Sequence, residues 1–239
     1  MSFLKTIKTF FLDLLFPIFC LGCKKEGTWL CQDCFLKIKL NKKQTCPSCG
    51  HETFFGEFCE VCAAAFKLDG IIAASSYKNE LLRSAIHTFK YRFAEDLTLP
   101  LAEILASVLL ENKIFLNLLD SRNTVIAPVP LHKKRYLWRG FNQAELLGRE
   151  VGKKFDLPIL NNFIARTKNT APQTKLNNIL ERKENVLGAF SCLRPDLVTR
   201  KNVILIDDVV TTCATLEECA KVMRPGRPRQ IWGLVLAKG

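Results

Sequence analysis

The chain has 239 residues, 48% of them apolar, a formal net charge of +12 and a pI near 9.3. That length and apolar content suit one medium α/β domain plus one small one and exclude a disordered chain. The basic balance favours polyanionic partners, and three histidines leave no histidine metal cluster and no Ser-His-Asp set.

The N-terminus, K-T-I-K-T-F-F-L-D-L-L-F-P-I-F-C, places Lys5 and Lys8 before an apolar run. Asp13 interrupts the run, Pro17 ends it, and no small-residue cleavage site follows, so it does not read as a signal peptide. It is also too short to span a bilayer. It reads as an amphipathic helix packing on the protein, with peripheral membrane association as the alternative. The expected location is cytoplasmic, with thiols reduced or metal-bound.

Eight of the 11 cysteines fall in four C-x-x-C pairs: Cys20/Cys23, Cys31/Cys34, Cys46/Cys49 and Cys59/Cys62. Each pair lets two thiolates reach one tetrahedral metal from a tight turn, and two pairs close a structural zinc site. Two zinc ions are expected, holding together a segment too small for a core of its own. Two Zn(Cys)4 sites would lower the net charge to about +8. Sequential pairing and an interleaved cross-brace use the same residues. Neither leaves an open position for catalysis. His51 reads as a surface residue, and Cys192, Cys213 and Cys219 as unpaired.

From residue 66 onward, strand-like runs alternate with helix-like stretches, which predicts an α/β fold with a parallel sheet. Strands are expected near 70–77, 124–129, 163–166, 203–207 and 231–237. Helices are expected near 80–93, 99–111, 142–154 and 215–223. The R-P-G-R-P-R stretch at 224–229 must turn, because its prolines and glycine cannot continue a helix. The boundary is set between 1–65, the leader and cysteine module, and 66–239, the α/β domain.

In 80–93, His87 and Lys90 share a helix face, which reads as exposed and amphipathic. The segment 131–143 mixes Lys133, Lys134, Arg135 and Arg139 with Tyr136, Trp138 and Phe141. Cations that track a backbone, interleaved with rings that stack on bases, suit single-stranded nucleic acid. The same cations could clamp pyrophosphate, or the rings could pack on their own domain. Thr167, Thr170 and Gln173 form a polar loop near the same cleft.

The stretch N-V-I-L-I-D-D-V-V-T-T-C-A-T-L-E-E-C, residues 202–219, joins a buried strand to a helix start. Asp207 and Asp208 stand at its carboxyl end, where open α/β sheets bind ligands. Paired carboxylates there suit a sugar diol or a cation carried by phosphate. Thr211, Thr212 and Thr215 add hydroxyls, and Thr215 with Glu218 has capping-box spacing. A loop feeding a helix N-terminus suits phosphate.

The stretch D-D-V-V-T-T-C-A-T resembles the phosphoribosyl-pyrophosphate (PRPP) loop of type I phosphoribosyltransferases. By that resemblance Asp207 and Asp208 are the catalytic, ribose-side carboxylates. Residues Thr211, Thr212, Cys213, Ala214 and Thr215 hold the 5′-phosphate, and Arg135 and Arg139 the leaving pyrophosphate with Mg²⁺. That family usually has glycine where this chain has Cys213, whose Cβ and sulfur are expected to crowd the phosphate. Together with the four knuckles, A-P-V-P-L-H-K-K-R-Y-L-W-R-G-F-N-Q (127–143) and R-T-K-N-T-A-P-Q-T-K-L-N-N-I-L-E-R-K-E-N-V-L-G-A-F (166–190) resemble the ComF family of competence proteins. The resemblance covers nearly the whole chain. It implies a double zinc ribbon on a phosphoribosyltransferase-like domain, with a role in handling incoming single-stranded DNA beside a helicase partner. A Mg²⁺-dependent phosphoribosyltransferase of unknown acceptor is the alternative function. A scaffold whose zinc module recruits a partner is a third.

Overall fold

The computed structural model describes residues 17–91, 94–111, 120, 122–170 and 178–239. Most of the expected N-terminal leader (1–16) and Gln173 lie outside them. In chain order the elements are α1 (Gln32–Phe35), β1 (Gln44–Thr45), β2 (Glu52–Thr53), α2 (Glu60–Ala63), β3 (Gly70–Ser76), α3 (Glu80–Tyr91), α4 (Thr98–Glu111) and β4 (Thr124–Pro128). They continue with α5 (Lys133–Arg139), α6 (Gln143–Phe155), β5 (Ile164–Arg166), α7 (Ile179–Val186), β6 (Phe190–Cys192), β7 (Asn202–Val210), α8 (Ala214–Met223) and β8 (Gln230–Lys238).

Four strands form one parallel sheet in the order β3-β8-β7-β4. The apolar run of β7 explains its central place, because a strand covered on both faces needs apolar residues at every position. Ile204 and Ile206 enter one core with Leu82, Ile86 and Phe89 of α3, Leu101 and Leu105 of α4, and Leu147 of α6. Val203 and Leu205 enter the other, with Leu216, Cys219 and Met223 of α8 and Phe163 and Phe190. Each fully buried Ile, Leu or Phe contributes about 1.5–3 kcal/mol of transfer free energy, so both faces hold the strand in place.

The strand expected at 163–166 forms but does not join that sheet. It pairs antiparallel with β6 in a separate two-stranded ribbon, Ile164 opposite Cys192 and Arg166 opposite Phe190. Period-two patterning reports that a segment is extended; it does not identify the partner strand.

The cysteine-rich segment covers the outer edge of β3, where unpaired backbone groups would otherwise face solvent. Gly56 accepts from the Ile71 amide at 2.8 Å, and Asn41 donates to the Ala74 carbonyl at 2.8 Å. The Gln44 side chain pairs with both backbone groups of Ala73, accepting at 3.2 Å and donating at 3.3 Å. Gly56 has φ +85°, and a Cβ there would stand 2.2 Å from the Ile71 carbonyl oxygen, so this approach requires glycine.

Candidate functional site: two thiolate clusters and a charged strand end

The eight cysteines gather into two groups, Cys20/Cys23/Cys31/Cys34 and Cys46/Cys49/Cys59/Cys62, with the sulfurs of each group within 4.8 Å of one another. The pairing is therefore sequential. Sulfur–sulfur separations are 3.5 Å for Cys23–Cys31 and 3.6 Å for Cys20–Cys31 and Cys49–Cys59. Four thiolates at about 2.3 Å from a tetrahedral zinc stand about 3.8 Å apart, so both groups fit the ion. Both N-terminal knuckles turn the same way. Lys24 and Gly50, each just after the second cysteine, take positive φ, and their amides donate to the carbonyls of Cys20 and Cys46 at 3.0 Å. Cys20, Cys31 and Cys34 belong to the core on the α3–α4 side of the sheet, and Cys46 to the core on the α8 side. The two clusters thus straddle the β3 edge.

At the other functional candidate, β7 runs two residues past the aspartates, to Val210. Adjacent residues of a strand project to opposite faces. Asp208 is buried and faces α3, where the Lys90 ammonium lies 2.6 Å from its Oδ1. Lys90 is thus part of the strand-end constellation, half-buried, while His87 and Tyr91 are exposed as expected for that helix. Asp207 faces the other way, within electrostatic reach of Arg166 on β5 and of Cys219 on α8. Its Oδ1 accepts from the Asp208 amide at 2.8 Å. Desolvation, with the neighbouring Asp208 charge, raises the Asp207 carboxyl to about 7.

Arg166 lies within electrostatic reach of Asp207, and Arg135 and Arg139 lie within reach of Arg166. Arg135 donates to the Thr170 carbonyl at 2.5 Å, Arg166 to the Thr170 hydroxyl at 2.6 Å, and Arg139 to the Gln143 Oε1 at 3.0 Å. Thr170 therefore ties the polar loop to the cleft. Burial, then the charges of Arg166 and Arg139, lower the Arg135 guanidinium to about 10, and burial lowers Arg166 as well. Among the described residues, none of the three forms an ion pair with a carboxylate, and the buried Nε atoms of Arg139 and Arg166 have no hydrogen-bond partner.

Residues 133–139 fold as helix α5. The His132 Nδ1 accepts from the Lys134 amide at its start, and left-handed Gly140 ends it, its amide donating to the Tyr136 carbonyl. Lys133, Lys134, Tyr136 and Trp138 are exposed on it. Trp138 stacks toward Tyr91 of α3 with ring centroids 5.7 Å apart, Tyr91 toward His87 at 4.6 Å, and the Arg139 guanidinium lies 5.3 Å over the Tyr91 ring. Phe141 does not share this surface. It is buried, with its ring 5.5 Å from that of Phe89, so it supports the helix from below and cannot stack on a base.

The threonine-rich turn also differs from expectation. Helix α8 begins at Ala214, one residue before Thr215, and its N-cap is Cys213 in the left-handed region at φ 60°. Glu218 does not close a capping box; its carboxylate accepts from the Gly188 amide at 2.9 Å and pairs with Lys221 at 2.6 Å. Cys213 takes the glycine-like backbone its position demands, yet its sulfur is buried and donates to the Pro47 carbonyl at 3.6 Å. Pro47 lies between Cys46 and Cys49, so the side chain points into the second thiolate cluster's knuckle. Beside it the Thr212 hydroxyl is buried without a hydrogen-bond partner among the described residues.

Residues 11–67 match the double zinc ribbon domain family. Over 236 residues the chain is 28% identical to DNA utilization protein YhgH of Escherichia coli, covering 92% of this chain and 98% of that one. It is 25% identical over 207 residues to competence protein ComFC of Bacillus subtilis, covering 83% and 79%. Competence protein F of Haemophilus influenzae is 30% identical over 235 residues, 91% of this chain and 96% of its own. By that match across nearly the full length of both proteins, the chain belongs to the competence protein F, or ComF, family.

Proposed function

We propose that this protein acts in DNA uptake during competence, binding single-stranded DNA on helix α5 and its aromatic neighbours. Names of its relatives, competence protein and DNA utilization protein, support this biological role. One observation carries the molecular reading: an exposed run of rings, His87–Tyr91–Trp138, flanked by Lys133, Lys134, Arg135 and Arg139. Base–aromatic stacking contributes about 1–3 kcal/mol per base and tolerates any sequence, while the cations supply phosphate attraction. Within this reading the strand end is a pocket for a phosphorylated ribose of the PRPP type. Thr211 to Thr215 would take the 5′-phosphate, and Asp207 and Asp208 the ribose face.

The test is an anisotropy titration of a labelled single-stranded oligonucleotide over a range of salt concentrations. Affinity is expected to fall steeply with salt and to be lost when Lys133, Lys134, Arg135 and Arg139 are together replaced by alanine. Binding that ignores salt, or that survives the fourfold change, refutes this surface. The second reading is a phosphoribosyltransferase, and paired strand-end carboxylates, one of them raised to about 7, support it. Pyrophosphate released from PRPP by the native protein, and absent with Asp208→Asn, would identify it.

A further inference from the structure

The strand-end carboxylates are poorly placed to chelate a divalent cation. They leave β7 on opposite faces. One oxygen of Asp208 is occupied by the Lys90 ammonium at 2.6 Å, and one oxygen of Asp207 by the Asp208 amide at 2.8 Å. An ion shared by both would need two free, converging carboxylates, and at Asp208 it would meet a fixed positive charge. Magnesium held by this pair does not fit the residues present.

The cations at the same place exceed the anions. Lys90 pairs with Asp208, Arg166 lies within electrostatic reach of Asp207, and Arg135 and Arg139 lie within reach of Arg166. Among the described residues, only Lys90 of the four makes an ion pair. Two guanidinium Nε atoms are buried with no partner. Holding Arg135 and Arg166 near each other and out of water is costly unless an anion completes the set. The positions are fixed: Lys90 sits on the last turn of α3, whose Leu82, Ala85, Ile86 and Phe89 are buried, and Arg166 on the β5–β6 ribbon. Preorganised donors of this kind bind an anion without first ordering long side chains.

From this geometry we propose that Lys90 takes the place of a divalent cation at the carboxylate pair, so that the pocket binds the diphosphate of a phosphorylated ribose on Lys90, Arg135, Arg139 and Arg166 without magnesium. The proposal rests on the phosphorylated-ribose reading of the pocket. It assigns Lys90 and Arg166 to ligand binding, which neither the strand-end motif nor the basic helix did.

The experiment is calorimetric titration of the zinc-loaded protein with PRPP and with inorganic pyrophosphate, each in magnesium-free and millimolar-magnesium buffer. The magnesium-free buffer is prepared over a chelating resin, since a dissolved chelator would strip the zinc. The native Kd for PRPP is expected to differ less than about threefold between the buffers. Lys90→Met is expected to weaken binding about tenfold or more without magnesium and to recover part of it with magnesium, while Lys90→Arg stays near native. Native binding that appears only with magnesium overturns the role of Lys90 and leaves the PRPP pocket standing. Absence of PRPP binding in both buffers overturns the pocket itself, and this proposal with it.

Discussion

The ammonium of Lys90 and the carboxylate of Asp208 form a 2.6 Å ion pair with little exposure on either side chain, 20% and 11%. It joins the last turn of helix α3 to strand β7. Removing one partner of such a pair strands the other charge out of water, at about 3 kcal/mol. Lys90→Met and Asp208→Asn should each lower the free energy of unfolding, read from urea titration, by that order. The double variant should recover most of the loss. A double-mutant cycle reads the coupling directly, and strictly additive losses would mean that the two charges do not depend on each other.

Asp207 gives a pH signature. Its carboxyl is raised to about 7 in the fold, from 3.8 in the unfolded chain. Between those values the folded state holds more protons than the unfolded one, so stability falls as pH rises from about 4 to about 7 and is then level. Asp207→Asn removes this slope. The variant should therefore gain stability relative to the native protein across that window, with the gap largest above pH 7. Thermal melts at pH 4.5, 6 and 8 check it; a constant gap would contradict the raised carboxyl. (These three pH values only span roughly the titration range.)

The Cys213 sulfur lies on the knuckle side of the threonine-rich turn, against the Pro47 carbonyl. Cys213→Gly should therefore leave PRPP affinity within about twofold of native. Its stability change should be small, because relief of the left-handed backbone offsets the lost side-chain burial, each about 1–2 kcal/mol. Cys213→Val should be far worse, since a β-branched residue does not tolerate φ 60°. Tightened PRPP binding by Cys213→Gly would instead show that the sulfur obstructs the phosphate.

The thiolate clusters sit in both cores and cover the β3 edge, so metal loss should expose that edge. Native protein should carry two zinc ions per chain by metal analysis, and Cys59→Ala one. Chelation should speed hydrogen exchange at the Ile71 and Ala73 amides, which donate to Gly56 and Gln44. Unchanged protection there after zinc removal would separate the metal from the edge.

Much of this arrangement was legible in the sequence because it is local. Four C-x-x-C pairs name their own ligands, and the Val203–Ile206 run announces a strand buried on both faces. Lys90 and Arg166 were not legible, since the roles proposed for them depend on which elements pack together. In the sequence Lys90 is one charge on an amphipathic helix, and Arg166 ends a strand whose partner pattern alone cannot identify. Helix α5 is absent from the helices expected from sequence because K-K-R-Y-L-W-R has no apolar stripe. Its signals were the caps, His132 at the start and Gly140 at the end, which weigh little against missing periodicity. The same lack of a stripe left Phe141 grouped with the exposed rings, although it lies beyond Gly140 and turns into the core.

That distinction gives the sharpest prediction for the DNA surface. Trp138 is 59% exposed and extends the ring run, whereas Phe141 is 7% exposed beneath it. Trp138→Ala should weaken single-stranded DNA binding by about 1–3 kcal/mol per stacked base, roughly fivefold to over a hundredfold, with the salt slope unchanged. Lys133→Ala and Lys134→Ala should each weaken binding and reduce that slope by about one, because each releases one fewer counterion. Phe141→Leu should cost stability and leave affinity and slope alone once the protein is folded. Anisotropy titrations at several salt concentrations, paired with melts, separate the three behaviours. If Phe141→Leu cuts DNA affinity at full foldedness while Trp138→Ala does not, the bases stack elsewhere, and helix α5 contributes charge only.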